Sequence, residues 1–198
     1  MSYIGSKPAN KPVVASDLDP TVITGQTALA VAPADTDEFL ISDAGVLKRL
    51  DASLIGGTNT PAFLARNNAA QSISANTSTK VTFGTEEYDT DSAFASSKFT
   101  VPSDKAGKYF IYSKVQQDCT DNTHLQLKIY KNGSEIGRTF TGLANNDEFT
   151  SWSGAIDLSA SDYIEIYILQ NSDGGGAARD VRTGGSLLYT YFGGYKLT

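Results

Sequence analysis

Alternation of apolar and polar residues is the strongest pattern in this 198-residue chain. Between His124 and Lys131, every second residue is apolar on one side of the segment: Leu125, Leu127 and Ile129. A period of two predicts a half-buried strand, and the Asn132-Gly133 pair that follows is typical of a type I′ turn. We therefore predict a β-hairpin whose second strand runs from Glu135 to Thr141.

The same period recurs between Asp162 and Leu169. One face carries Ile164, Ile166 and Ile168, and the other carries Tyr163, Glu165, Tyr167 and Leu169. Short strands at this spacing, 18 glycines and no sustained period of 3.6 residues favour an all-β sandwich or barrel. We expect no helix longer than a turn or two.

Two further predicted strands are apolar on both faces. In residues 107–115, Tyr109, Ile111 and Val115 share one face, whereas Phe110 and Tyr112 lie on the other. In residues 187–197, Leu188 and Phe192 alternate with Tyr189, Tyr191, Tyr195 and Leu197. A solvated antiparallel sheet is normally polar on its outer face. A subunit interface is therefore the economical cover for these outer faces.

The N-terminal residues predict an arm rather than a globular domain. Pro8, Pro12 and Pro20 favour an extended segment, and a hairpin with a turn at residues 42–45 follows. We divide the chain into an arm of residues 1–57 and a body of residues 58–198. Because a lone hairpin is marginally stable, we expect its apolar residues to bind a partner: Phe39, Leu40, Ile41, Val46, Leu47 and Leu50.

Composition excludes several classes of function. The net charge is −6, and the densest basic spot is the pair Lys48-Arg49, so we expect no nucleic-acid binding. No apolar run approaches 18 residues and the first residues do not resemble a secretory signal, so we expect no membrane insertion. Cys119 is the single cysteine and cannot form an intrachain disulfide, which suits a protein made in a reducing cytoplasm.

The sequence has few residues that could support catalysis or bind a metal or a phosphate. His124 is the only histidine, and with Cys119 it gives neither a supported catalytic dyad nor a zinc site. Asp89 and Asp91 could offer oxygens to Ca²⁺, although such an Asp-x-Asp segment is more often simply solvated. The glycine run 174–176 is not followed by the Lys-Ser/Thr pair of a phosphate loop. We expect no catalytic residue, cofactor or metal.

The body resembles the C1q/TNF superfamily. Phe83, Asp89 and Phe94 match the spacing of the family's first motif, Gly107–Ile111 its Gly-x-Tyr-x-hydrophobic strand, and Tyr191–Leu197 its closing strand. Phe99 lies two positions earlier than the family's aromatic. Over residues 61–198 the resemblance implies a ten-stranded jelly roll that forms a tight trimer. It makes Phe110, Tyr112 and Tyr191 candidates for the trimer interface; the alternative is that they are ordinary core aromatics.

The arm is similar to the N-terminal attachment segments of bacteriophage tail-fibre and other virion proteins, through residues 3–8, 36–43 and 47–53. This similarity implies a virion structural protein, made in the host cytoplasm, that is attached to other virion proteins by its arm. Its jelly roll could bind a glycan or a protein of the host surface. Because the arm is short and no shaft is evident, a capsid decoration (cement) protein is the alternative.

Two other classes of function are alternatives to a virion structural protein. An animal-type soluble ligand would normally have a signal peptide, collagen repeats or disulfides, which we do not find in this sequence. A carbohydrate-active enzyme on a jelly-roll scaffold is the alternative of another class, because fold does not determine function and paired carboxylates are defined only in three dimensions.

Overall fold

The structure is a computed structural model that describes residues 24–25, 27, 33–34, 36–55, 59–118, 123–142, 148–172, 176–185 and 187–197. The chain forms two compact units, Met1–Gly56 and Gly57–Thr198. The predicted extended segment of residues 1–20 lies outside the described residues, as do residues 56–58 at the predicted boundary between arm and body.

The N-terminal unit contains the predicted hairpin. Strands β1 (Glu38–Asp43) and β2 (Val46–Asp51) are antiparallel, and a single 3-10 turn at Ala52–Leu54 follows them. Ala44 and Gly45 have φ values of 52° and 81°, the left-handed pair that a two-residue turn requires. The turn is therefore shorter than the predicted segment 42–45, because Ser42 and Asp43 still belong to β1.

The body consists of short antiparallel strands, and none of its described residues is in an α-helix. The strands are β3 (Ala62–Arg66), β4 (Gln71–Ile73), β5 (Thr79–Lys80), β6 (Thr85–Asp89), β7 (Phe94–Ala95), β8 (Lys98–Thr100), β9 (Gly107–Gln117), β10 (Thr123–Lys131), β11 (Ser134–Thr141), β12 (Glu148–Leu158), β13 (Tyr163–Ser172), β14 (Arg179–Val181) and β15 (Tyr191–Lys196).

These strands form two sheets. In the first sheet, β9 lies between β12 and β15, and β3 and β6 continue beyond β15. The short pair β4–β14 joins the end of β9 through Val181 and Gln117. In the second sheet the order is β11-β10-β13-β8-β7, and β5 also pairs with β13. The body therefore has the two-sheet architecture that the alternating pattern predicts.

The predicted inward faces of the strands form the core between the sheets. Ile111 on β9 is fully buried, as are Ile129 on β10 and Ile166 on β13. Rings from both sheets meet there, since Phe63 stacks on Phe99 with centroids 4.6 Å apart and contacts Phe192 edge-on at 4.9 Å. Each fully buried side chain of this size stabilises the fold by roughly 1.5–3 kcal/mol.

The hairpin predicted at Asn132-Gly133 is confirmed, and its turn residues have φ values of 52° and 77°. The prediction of the final strand is wrong at its N-terminal end. It begins at Tyr191 rather than at Leu187, because Leu187 instead forms an isolated bridge with Gly184. Among the described residues, no helix is long and apolar enough to cross a bilayer.

Candidate functional site: an aromatic outer face

Four aromatic rings lie on the outer face of the first sheet, which we call the aromatic face: Phe110 and Tyr112 on β9, and Tyr191 and Tyr195 on β15. The centroid of Phe110 is 6.2 Å from that of Tyr112 and 5.7 Å from that of Tyr195. The ring centroids of Tyr112 and Tyr191 are 6.1 Å apart. All four side chains are half-buried, so part of each ring stays open to solvent.

Gly193 makes room for this cluster. It pairs with Tyr112 across the sheet, and a Cβ at Gly193 would lie 2.6 Å from Cζ of the Tyr112 ring. Any larger residue would therefore displace the ring. Gly194 is turned to the other side, where a Cβ would lie 2.6 Å from Cδ1 of Ile111. The glycine pair of the last strand thus allows close packing on both faces.

A fifth aromatic residue, Tyr88, borders the aromatic face. Tyr88 on β6 is 45% exposed, and its side chain shares a hydrogen bond with Tyr112. Burial and this hydrogen bond raise the pKa of Tyr112 above its ordinary value. The Tyr112 hydroxyl is therefore neutral at physiological pH. The charges nearest the rings are those of Lys114 and Arg66, which both pair with Tyr191 across the sheet.

Small residues lie beside the rings on β12. Ser153 pairs with Tyr112, and Ala155 pairs with Phe110. Their side chains are short and exposed, so Tyr112 and Phe110 are the larger groups in this part of the face.

Three further apolar side chains are exposed on β11 and β12. Ile136 and Phe140 on β11 are 45% and 61% exposed, and Phe149 on β12 is 54% exposed. Phe140 pairs with Gln126 in the second sheet, whereas Phe149 pairs with Gln116 in the first, so the two rings belong to different sheets. Lys114 lies 4.6 Å from the centre of the Phe149 ring. Sequence alternation alone did not single out these residues.

The predicted contact residues of the arm lie on the β1–β2 hairpin. Phe39 pairs with Leu50 on one face, whereas Leu40 lies on the other. Phe39 is 42% exposed, Leu40 76% and Val46 59%. Ile41 and Leu50 are half-buried. Leu47 pairs with Ser42 through the backbone, and its side chain lies outside the described set.

Within the described residues, the structure does not bring the candidate catalytic residues together into a catalytic site. His124 is half-buried on β10, and Cys119 lies outside the described residues. A pocket of about 300 Å³ is lined by Ala70, Asp118, Asp180, Arg182 and Thr183, which offer neither a histidine nor a nucleophilic thiol. In the part of the chain that the structure describes, no three His, Cys, Asp or Glu side chains could jointly hold a metal.

Comparison with known proteins identifies the fold. No protein-family model and no curated protein matches the chain. Crystal structures of murine APRIL at pH 5.0 and at pH 8.5 are similar to it: each is 16% identical, with a TM-score of 0.50, over 69% of this chain and 98% of APRIL. The body is a C1q/TNF-like jelly roll. The globular domain of zebrafish complement 1qA is also similar, with 16% identity and a TM-score of 0.48 over 70% of this chain and 98% of that domain.

Within this C1q/TNF-like jelly roll, the Asp89 side chain stabilises a turn of the backbone. Its carboxylate accepts backbone N–H bonds from Ala93 at 3.0 Å and from Phe94 at 2.8 Å, which fixes the turn after β6. The aromatic partners of the motif, Phe83 and Phe94, are both buried in the core. Because donors already occupy the oxygens of Asp89, this carboxylate is poorly suited to Ca²⁺. Asp91 faces Lys105 instead, at 3.9 Å.

Proposed function

We propose that this chain is a trimeric, non-enzymatic structural protein of a bacteriophage virion, and specifically a fibre or appendage protein. The observation that carries the proposal is the aromatic face. Its four half-buried rings lie on the outer side of a jelly-roll sheet, where a solvated sheet would carry polar residues. Rings of this kind bury well against another subunit.

The aromatic face of the body supports a cyclic assembly. It lies at the centre of the first sheet, on β9 and β15. Copies that pack these faces around a common axis form a closed ring when the rotation between them closes. The resemblance to the C1q/TNF superfamily supports a trimer as that ring, and we propose that Tyr112 and Tyr191 lie near its axis.

The hairpin supports attachment to a particle. It is a two-stranded sheet in a unit of its own, and Leu40 and Val46 are largely exposed on it. A soluble protein tolerates such residues best when a partner covers them. Ordering an arm costs about 1–2 kcal/mol per residue, so three arms on one trimer would benefit from binding together.

The jelly roll would then project from the particle and bind the host surface, a glycan or a protein. A capsid decoration protein is the second candidate. The short segment between the hairpin and β3 favours it, because a fibre normally has a long shaft. A carbohydrate-active enzyme is the candidate of another class, and a hydrolysis assay on host polysaccharide distinguishes it from a structural protein.

Deletion of residues 1–56 tests the attachment role. We expect the truncated chain to remain a folded trimer but to be absent from purified virions, because the contacts of the arm are lost. The point variant Leu40→Asp should lower incorporation into virions, whereas Leu187→Asp, which changes an exposed leucine of the body, should not. If the truncated chain joins particles at full occupancy, attachment occurs through the jelly roll and the decoration role replaces the fibre role.

A further inference from the structure

A row of basic residues crosses the outer face of the second sheet. Arg138 on β11 pairs with Lys128 on β10, Lys128 pairs with Tyr167 on β13, and Tyr167 pairs with Lys80 on β5. Residues that pair directly across an antiparallel ladder share one face. The three cations Arg138, Lys128 and Lys80 therefore lie in one line with Tyr167, and we call this line the cation row. It spans three strand spacings, about 14 Å.

The central lysine of the row is almost buried. Lys128 is 8% exposed, and its ammonium lies 3.8 Å from a carboxylate oxygen of Glu135. The other oxygen of Glu135 bonds to Arg138, so two cations share one carboxylate. Lys80 is paired separately, with Glu165 at 2.7 Å. Lys128 and Arg138 are therefore a like-charged cross-strand pair with incomplete neutralisation.

Such an arrangement reduces stability unless something offsets it. Like charges placed directly opposite each other in a sheet are destabilising, and a nearly buried charge loses much of its hydration. An incoming anion between Lys128 and Arg138 would supply the missing negative charge. The chain as a whole has a net charge of −6, which makes a local basic row an unusual feature of this surface.

Two tyrosines indicate the kind of anion. The ring of Tyr167 lies between Lys128 and Lys80 across the sheet, and its centroid is 4.4 Å from that of Tyr130; both side chains are half-buried. Tyr130 itself pairs with Glu135 and Glu165, so we expect the carboxylate of a bound sugar near Lys128 and Arg138 and not over Tyr130. Their exposed parts offer an apolar surface with hydroxyl groups, on which a sugar ring can pack. An added peptide strand would bind at a sheet edge, whereas β10 and β13 are interior strands whose ladders are already paired.

We propose that the cation row binds an acidic saccharide that carries carboxylate groups, such as a uronic acid. Lys128 and Arg138 bind the carboxylate, and Tyr130 and Tyr167 support the sugar ring. This inference rests on the proposed host-binding role and names the chemistry of the ligand. In a trimer that buries the aromatic face of the first sheet, the outer face of the second sheet points away from the partner subunits.

Calorimetric titration of the full chain with hexagalacturonate tests the inference, with neutral maltohexaose and a hexaglutamate peptide as comparison ligands. We expect only hexagalacturonate to bind. Lys128→Met keeps the length of the side chain and removes its charge, so it should weaken binding by at least about tenfold, the effect of one lost charge-assisted hydrogen bond. Lys108→Met, which removes an exposed lysine on the first sheet, should leave binding unchanged.

Thermal unfolding separates this role from a structural one. Because Lys128→Met relieves the like-charged pair, its melting temperature should equal or exceed that of the wild type. If the variant does not fold, Arg138→Gln, at a side chain that is 46% exposed, should show the same loss of binding. Failure of the wild type to bind, equal binding by Arg138→Gln, or equally tight binding of hexaglutamate would each overturn the inference. A chain that forms trimers and joins particles without binding hexagalacturonate contradicts this inference alone, and leaves the proposed function standing.

Discussion

Asp162 joins two elements of the body through a single carboxylate. It accepts hydrogen bonds from Asn132 at 2.6 Å, from Lys131 at 2.8 Å and from the backbone N–H of Ser159 at 2.7 Å. The turn between β10 and β11 is thereby fastened to the start of β13. Bonds from Lys131 and Asn132 lower the pKa of Asp162 from 3.8 to about 2.

We predict that Asp162→Asn reduces stability most at neutral pH. Because its pKa is lower in the folded chain, the ionised Asp162 stabilises the fold above its ordinary pKa of 3.8, and this contribution is lost as the pH falls towards 2. Loss of the charged acceptor should lower the free energy of unfolding at pH 7 by about 1–2 kcal/mol, after allowance for solvent screening.

Melting temperatures measured between pH 2 and pH 7 test this prediction. The curve of the Asp162→Asn variant should be flatter than the wild-type curve on the acid side. Asp157→Asn is the matched control, because Asp157 is 77% exposed and its pair with Lys108 should contribute little. Equal melting curves for Asp162→Asn and the wild type would show that the carboxylate does not fasten the turn.

Strands β9 and β15 combine a core face and a binding face in single elements. Tyr109 and Ile111 are fully buried, whereas Phe110 and Tyr112, which alternate with them along β9, lie on the aromatic face. The strict alternation of a strand makes this division possible, because neighbouring residues point to opposite sides of the sheet. The same strands therefore hold the jelly roll together and, in the proposed trimer, hold the subunits together.

We predict that Tyr191→Asp dissociates the trimer. An aromatic ring buried at an interface contributes roughly 1.5–3 kcal/mol, and one substitution acts three times in a trimer. Sedimentation velocity should show monomers for Tyr191→Asp and trimers for Tyr163→Asp, which makes the same change on the outer face of the second sheet. A Tyr191→Asp chain that remains trimeric with unchanged melting would place Tyr191 away from the interface.

The strands that could be predicted from sequence are those with strong alternation. Strands β9, β10 and β13 have branched or aromatic residues at most alternate positions, and β11 could be predicted as the partner of β10 from the turn at Asn132-Gly133. Strand β12 was not predicted, because its outer residues Ser151, Ser153 and Ala155 are small and its inner face includes Gly154. Short strands such as β5 and β7 owe their form to pairing with distant segments rather than to a local pattern.

Part of the aromatic face could also be predicted from the alternation of residues along the strands. Phe110, Tyr112 and Tyr191 could be selected because alternation puts them opposite the core face. Tyr195 belongs with them by its parity on β15, which is the signal that could have included it. Tyr88 could not be found in this way, since β6 has no apolar alternation and reaches the aromatic face only through its pairing with β3.

At the scale of the whole molecule, the two outer faces of the body have different chemistry. The first sheet presents uncharged aromatic rings, and the second presents the cation row. The sheets face each other across the core, so these surfaces point in opposite directions. Assembly through one face would therefore leave the other available to a ligand, and the hairpin unit would remain a third, separate site for contacts with a particle.

The mass of the protein in solution tests the central claim most directly. Light scattering at micromolar concentration should give three times the 21.1 kDa mass of the chain, because in the proposed trimer each protomer buries its aromatic face against a neighbour. Residues 57–198 alone should also give three times their own mass, since the proposed interface lies entirely in the body. A monomer mass for residues 57–198 at that concentration would contradict the trimer, and with it the role of the aromatic face as a subunit interface.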